Sequence, residues 1–234
     1  MRNYYFFLFI ALITGIIIGN TISNIEYNDF DTNFSSSQID LVAVNSEGNG
    51  ITIPLEVDVK KGNGLVLTNI DKLLFWVDTQ FSIQTARNIA ENVTGIDTSK
   101  LDLIYIIKSN ETGIIGGPSA GAALTIATIG ALENKTMKKG ILITGTINPD
   151  GTIGKVGGIL EKAKAAKQAG AQLFLVPLGQ GIETKLEPIK TCKTAGQITY
   201  CQLKYKKQMI NIGENADIAV LEVKNIYDAL KYFY

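Results

Sequence analysis

Gly113-Ile114-Ile115-Gly116-Gly117-Pro118-Ser119-Ala120-Gly121 and Gly157-Gly158-Ile159-Leu160-Glu161-Lys162, whose lysine follows Ser119 by 43 residues, bound the stretch around which this chain is organised. The first segment is a glycine-rich loop that delivers a serine. Pro118 has a fixed φ and no N–H, so it suits the first turn of a helix. Ser119 is therefore expected at a helix N-terminus, where free N–H groups and the helix dipole favour developing negative charge. Gly116 and Gly117 leave room for a substrate backbone, which is the geometry an oxyanion hole needs.

The chain contains no histidine. A Ser-His-Asp triad cannot be built from it, and histidine-ligated zinc is excluded as well. A serine nucleophile here needs another base, and a desolvated lysine is the usual substitute. Lys162 fits by periodicity. On a helix from Gly158 to Ala169, closed by Gly170, its neighbours at three, four and seven residues are Gly158, Ile159, Ala165, Ala166 and Ala169. Lys164 instead neighbours Leu160, Glu161, Lys167 and Gln168. Lys162 is thus expected to point inward and Lys164 to water. Burial disfavours the ammonium form and lowers its pKa, as a general base requires. The alternative is a lysine that snorkels along an apolar face.

Gly117-Pro118-Ser119-Ala120-Gly121 resembles the nucleophile motif of the Lon-type Ser-Lys proteases, and Gly157 to Lys162 resembles their lysine motif at a matching separation. Ile143-Thr144-Gly145-Thr146 is similar to their Thr-Gly strand. The resemblance implies Ser119 and Lys162 as catalytic residues, Thr144 as the residue that orients the lysine, and Gly117 as the loop residue before the nucleophile. It extends weakly from about Ile39 to Tyr234 and is strongest to small archaeal Lon-like proteins with an N-terminal hydrophobic segment and no ATPase module. It further implies an α+β fold, with small sheets flanked by the helices that carry Ser119 and Lys162. The implied activity is ATP-independent endopeptidase hydrolysis of unfolded or flexible protein, with neither metal nor organic cofactor, and a homo-oligomer, a hexamer in the family. The chain departs from the pattern where the acidic residue three before the serine is Gly116, where the glutamate after Thr-Gly is Thr146, and in lacking the family's pocket histidines. These changes leave the dyad intact.

Two other readings compete. The loop Gly116 to Gly121 could cradle a phosphate as in small-molecule kinases, although no acidic metal ligand stands near it and Lys162 would have no purpose there. The chain could also be an inactive binding module on the protease fold, against which the joint presence of Ser119, Lys162 and Thr144 argues. No Gly-x-x-x-x-Gly-Lys-Ser/Thr loop is present, so no substrate unfolding by an ATPase within this sequence is expected.

Outward from this stretch, 22 basic and 22 acidic residues give no electrostatic footprint for nucleic acid. The chain is 46% hydrophobic, in part because Tyr4 to Gly19 is nearly all apolar. After Met1-Arg2-Asn3 this run reads as an uncleaved signal anchor reaching Ile22, or as a signal peptide. Arg2 would stay cytoplasmic and the remainder would lie outside, at the cell membrane or secreted if the segment is cleaved. Residues 23–38 read as a polar tether and residues 39–234 as the protease domain.

Strands are expected at Ile39–Val44, Ile51–Val59, Leu65–Thr68, Leu73–Val77 and Leu101–Ile107, with Asp78-Thr79-Gln80 capping a helix from Phe81 to Val93. The helix Ala120–Leu132, small and apolar all round, should be buried. Ile141–Val156 reads as strand, turn and strand, and Leu173–Pro177 as a short buried strand. Gly179 to Lys207 reads as irregular. It holds Cys192 and Cys201, which could close a disulfide loop outside the cell or remain free thiols inside it. A strand and a helix, Asn225–Phe233, should end the chain. Asn33, Asn92, Asn110 and Asn134 head Asn-x-Ser/Thr sequons, usable only if the domain is exported.

Overall fold

Helix α2, Gly121–Glu133, forms the centre of the molecule, and residues 121–131 are all buried. Its residues are small and apolar on every side, so elements can approach from all directions and no face is left for water. The computed structural model describes residues 34–70, 73–75, 77–108, 113–115 and 117–234. The anchor expected at Tyr4–Ile22, most of the tether, Gly116 and the sequons at Asn33 and Asn110 lie outside the described residues. Among the described residues no helix is long and apolar enough to cross a membrane.

The larger sheet holds β1 (Ser35–Val44), β2 (Gly50–Lys61), β5 (Leu101–Ile107) and β3 (Val66–Ile70) in the order β1-β2-β5-β3. The first three run antiparallel and β3 is parallel to β5. The alternating residues of β2, Ile53, Leu55, Val57 and Val59, are buried. Helix α1, Val77–Thr94, presents Ile83, Ala86, Ile89 and Ala90 to the same core. Two polar groups within this core are satisfied: the Tyr105 hydroxyl and Thr128 Oγ1 lie 2.8 Å apart, and Thr128 donates to the Leu124 carbonyl at 2.7 Å.

A second, three-stranded parallel sheet has the order β13 (Ala219–Val223), β10 (Leu173–Pro177), β7 (Ile141–Ile143). Helix α3, Ile159–Gln168, follows the short hairpin of β8 (Thr146–Ile147) and β9 (Ile153–Gly154). Helices α4 (Ile212–Ala216) and α5 (Ile226–Phe233) complete the chain. Helices and small sheets share one core, so the α+β expectation holds.

The structure departs from the sequence reading in four places. Strand β1 begins at Ser35 instead of Ile39, because Ser35–Gln38 continue the register with Val59–Glu56 and Ser37 turns inward; these residues are strand and not tether. Helix α1 begins at Val77, so Asp78 lies within its first turn and does not cap it. Gly113–Ile115, read as loop, is strand β6 and pairs in parallel with β4, Leu73–Phe75. The segment read as irregular is the longest strand pair described: β11, Ile182–Ala195, runs antiparallel to β12, Ile198–Asn211, with Cys192 opposite Cys201 in a disulfide.

Helix α3 lies against β2 at Gly50, where an added Cβ would overlap the Glu161 carbonyl. That obstacle is backbone and cannot swing aside. Gly50→Ala should destabilise the domain by about 1–3 kcal/mol, the usual cost of overpacking. Urea denaturation of the variant measures this, and a wild-type midpoint would contradict the packing.

Candidate active site

Three segments converge at the C-terminal end of β1. The first is the loop that enters α2. Gly117 has φ +101°, a region that L side chains rarely adopt, and Pro118–Ala120 form one 3-10 turn ahead of α2. Pro118 occupies the first helical position, as its ring requires, and Ser119 follows it half-buried.

The second segment is the break after β7. The Thr144 N–H donates to the Leu175 carbonyl at 3.1 Å, which ties Thr144 to β10. The Ser119 carbonyl accepts from the Gly145 N–H at 3.0 Å and from Thr144 Oγ1 at 3.3 Å, and the Ala122 N–H donates to the Gly145 carbonyl at 3.1 Å. The serine turn is thus stitched to the Thr-Gly pair on both sides.

The third is α3. Its apolar face of Ile159, Ala163, Ala165 and Ala166 is buried, and Lys162 is buried among them at 4% exposure while Lys164 is exposed. Periodicity alone anticipated this difference. Lys162 Nζ donates to Thr144 Oγ1 at 3.5 Å, and Thr144 is fully buried. Among the described residues no carboxylate forms an ion pair with Lys162. Burial without a counter-charge pushes its pKa down from 10.5 to about 8. This is the behaviour of a general base and not of a snorkelling lysine, whose head would stay in water.

Ser119 and Lys162 line the same cleft, of about 490 Å³. Its floor comes from Leu41–Val44 of β1, and its walls include Thr79, Thr146 and Lys155–Gly158. The sequence reading found neither Thr79 nor Leu41–Val44, because the fold brings them in from distant strands and no local pattern marks them. It also missed Gln180, whose side chain accepts from the Val156 N–H at 2.9 Å and donates to the Val156 carbonyl at 2.7 Å, bracing the cleft wall. Among the described residues no group of His, Cys, Asp or Glu could hold a metal ion. A hydroxyl, an amine of lowered pKa and a helix N-terminus facing one concave space can support acyl transfer. Asn92 and Asn134 are exposed.

A model of the Lon protease (S16) C-terminal proteolytic domain matches residues 48–202. The chain is 33% identical to the Lon protease of Clostridioides difficile over 135 residues, 56% of this chain and 17% of that one. It is 26% identical to the archaeal Lon protease of Thermococcus kodakarensis over 158 residues, 65% of this chain and 24% of that one. To the archaeal Lon protease of Methanocaldococcus jannaschii it is 31% identical over 123 residues, 48% of this chain and 19% of that one. The chain therefore spans about a fifth of the length of these relatives.

The burial of Lys162 has a thermodynamic signature. Below pH 8 both folded and unfolded chains hold the lysine proton, and the full cost of burying the charge is present. Between about 8 and 10.5 the unfolded chain keeps a proton that the folded chain has released, so this contribution to stability rises with pH. A shift of that size corresponds to roughly 3 kcal/mol. Lys162→Met should therefore stabilise the domain at pH 7, with a gain that shrinks between about pH 8 and 10.5 and is absent at pH 11. Urea midpoints at the two pH values decide it; no gain at pH 7 would contradict the burial of the amine.

Proposed function

This chain belongs to the family of the Lon protease (S16) C-terminal proteolytic domain, and we propose from that premise that it is an ATP-independent serine endopeptidase using Ser119 and Lys162 as a dyad. Its substrates are unfolded or flexible polypeptides. The observation that carries the reading is Lys162 itself, an amine buried on an apolar helix face, without an ion-pair partner among the described residues, bonded to Thr144 and lining one cleft with Ser119.

Neutral Lys162 takes the Ser119 hydroxyl proton as Oγ attacks the peptide carbonyl. The oxyanion of the tetrahedral intermediate receives the Ser119 N–H at the mouth of α2, since Pro118 has no N–H to give. Lys162 passes its proton to the departing amine, and the C–N bond breaks to leave an acyl-serine. Lys162 then takes a proton from water, hydroxide adds to the ester, and the proton returns to Ser119 as the acid leaves. Thr144 is a positioning residue that holds the lysine amine toward the serine turn. Gly117 lets the loop turn where a side chain would strain it.

The N-terminal apolar run supports placement at a membrane with the protease domain outside, and recovery of the full-length protein in the soluble cytosolic fraction would oppose this. Family membership supports assembly into a homo-oligomer, a hexamer by resemblance. The balanced charge supports no role in nucleic-acid binding.

Peptide hydrolysis should need neither ATP nor metal and should be lost in Ser119→Ala. The kcat/KM should rise with pH to a plateau with a midpoint near 8, as Lys162 loses its proton. Lys162→Arg should be inactive at every accessible pH, since guanidinium stays protonated. Thr144→Val should retain a residual rate about 10–100-fold below wild type, the scale on which loss of a positioning contact reduces rate. A fluorogenic peptide followed from pH 6 to 10 tests all of these, and wild-type turnover by Lys162→Arg would overturn the dyad.

A further inference from the structure

The arm formed by β11 and β12 has no part in the cleft. At roughly 3.3 Å per residue its paired strands extend about 45 Å. Their register puts Leu186 and Pro188 on one face with Leu203, Tyr205 and Met209. Within the chain this face is uncovered: Leu186 is 55% exposed, Leu203 60%, Tyr205 66% and Met209 71%. Lys190 and Lys207 interrupt it. The whole arm, residues 182–211, carries six lysines against two glutamates. The arm is a two-stranded sheet, so each strand also keeps an outer edge that pairs with no other sheet strand among the described residues.

The arm's root is fixed to the cleft. Glu222 accepts from the Gly179 N–H at 2.9 Å and the Gly181 N–H at 2.7 Å, which holds its carboxyl below the usual range. Between them Gln180 holds both backbone groups of Val156, a residue of the cleft wall. The Ile212 N–H, where β12 ends, donates to the Gly181 carbonyl at 3.0 Å. Both ends of the arm are therefore anchored next to the space that Ser119 faces.

We propose that the arm is a capture surface for the polypeptide substrate. An extended apolar segment carrying acidic residues lies along the face of Leu186, Leu203 and Tyr205 while another part of the same chain enters the cleft. This rests on reading the cleft as a protease site. Exposed apolar side chains take the client's apolar residues, Lys190 and Lys207 meet its carboxylates, and the open edges accept its backbone by strand addition. Two-point attachment raises the local concentration of a long substrate at the cleft and does nothing for a short peptide. The observations favour this occupant over two others. Face-to-face pairing of two arms would press together two strips only two strands wide, each carrying Lys190 and Lys207 on the contact face and a net positive charge. Insertion into lipid would carry the charged Lys190 and Lys207 into the apolar phase, which is unfavourable.

The test uses the full chain with Leu186→Ser, Leu203→Ser and Tyr205→Ser combined. In a Ser119→Ala background, fluorescence anisotropy measures binding of reduced, carboxymethylated lactalbumin, an unfolded acidic protein. The expected result is a Kd at least about 10-fold weaker, with hydrolysis of a fluorogenic tetrapeptide by the Ser119-containing triple variant changed less than about twofold. Unchanged Kd overturns the proposal. So does unchanged client binding accompanied by altered sedimentation or by lost flotation with anionic vesicles, which would assign the arm to a second copy or to lipid. If the triple variant fails to fold by circular dichroism, Lys190→Glu with Lys207→Glu replaces it with the same criteria. Because binding is measured without turnover, loss of client binding in a protein that never cleaves the peptide would refute the protease reading and leave the capture surface standing.

Discussion

The site depends on a desolvated amine. Lys162 sits on an apolar helix face with a threonine hydroxyl as its hydrogen-bond partner, and burial of its charge is unfavourable until the proton leaves. That burial cost lowers the basicity of the amine, so that it stands neutral and ready to take a proton near pH 8. The surrounding structure keeps water out and the amine in place. Gly50 admits α3 close to β2, helix α2, buried from Gly121 to Ala131, presents Ser119 at its mouth, and the Thr144-Gly145 pair joins the serine turn to the lysine. A domain of ordinary stability can hold such a group only because many apolar contacts offset it.

Much of this was legible in the sequence because it is written in short-range periodicity. The contrast between Lys162 and Lys164 follows from one helical turn of neighbours. The all-apolar run from Ala120 to Leu132 announces a buried helix, and Leu101–Ile107 and Leu173–Pro177 read as buried strands by their continuous apolar character. Pro118 after two glycines marked the turn that carries the serine.

What escaped the reading is set by long-range pairing. Ser35–Gln38 are polar and look like tether, yet they are strand because Glu56–Val59 stand opposite them. Leu41–Val44 and Thr79 reach the cleft only through the fold. The arm was missed for a different reason. Lysines break its alternation on the apolar face, and with neither face packed on a core, no burial pattern marks its strands. The arm's uncovered face and the cleft are different surfaces of one chain, and Gln180 and Glu222 join them through the wall at Val156.

The most direct test of the account is the titration of Lys162 itself. With lysine labelled at Cε and Nζ, NMR of the Ser119→Ala protein, assigned by comparison with Lys162→Met, should show the Lys162 resonance titrating near pH 8, below the ordinary lysine value of roughly 10.4. The reading of Lys162 as a neutral base held by burial requires that midpoint. A Lys162 midpoint at the ordinary lysine value of roughly 10.4 would contradict it.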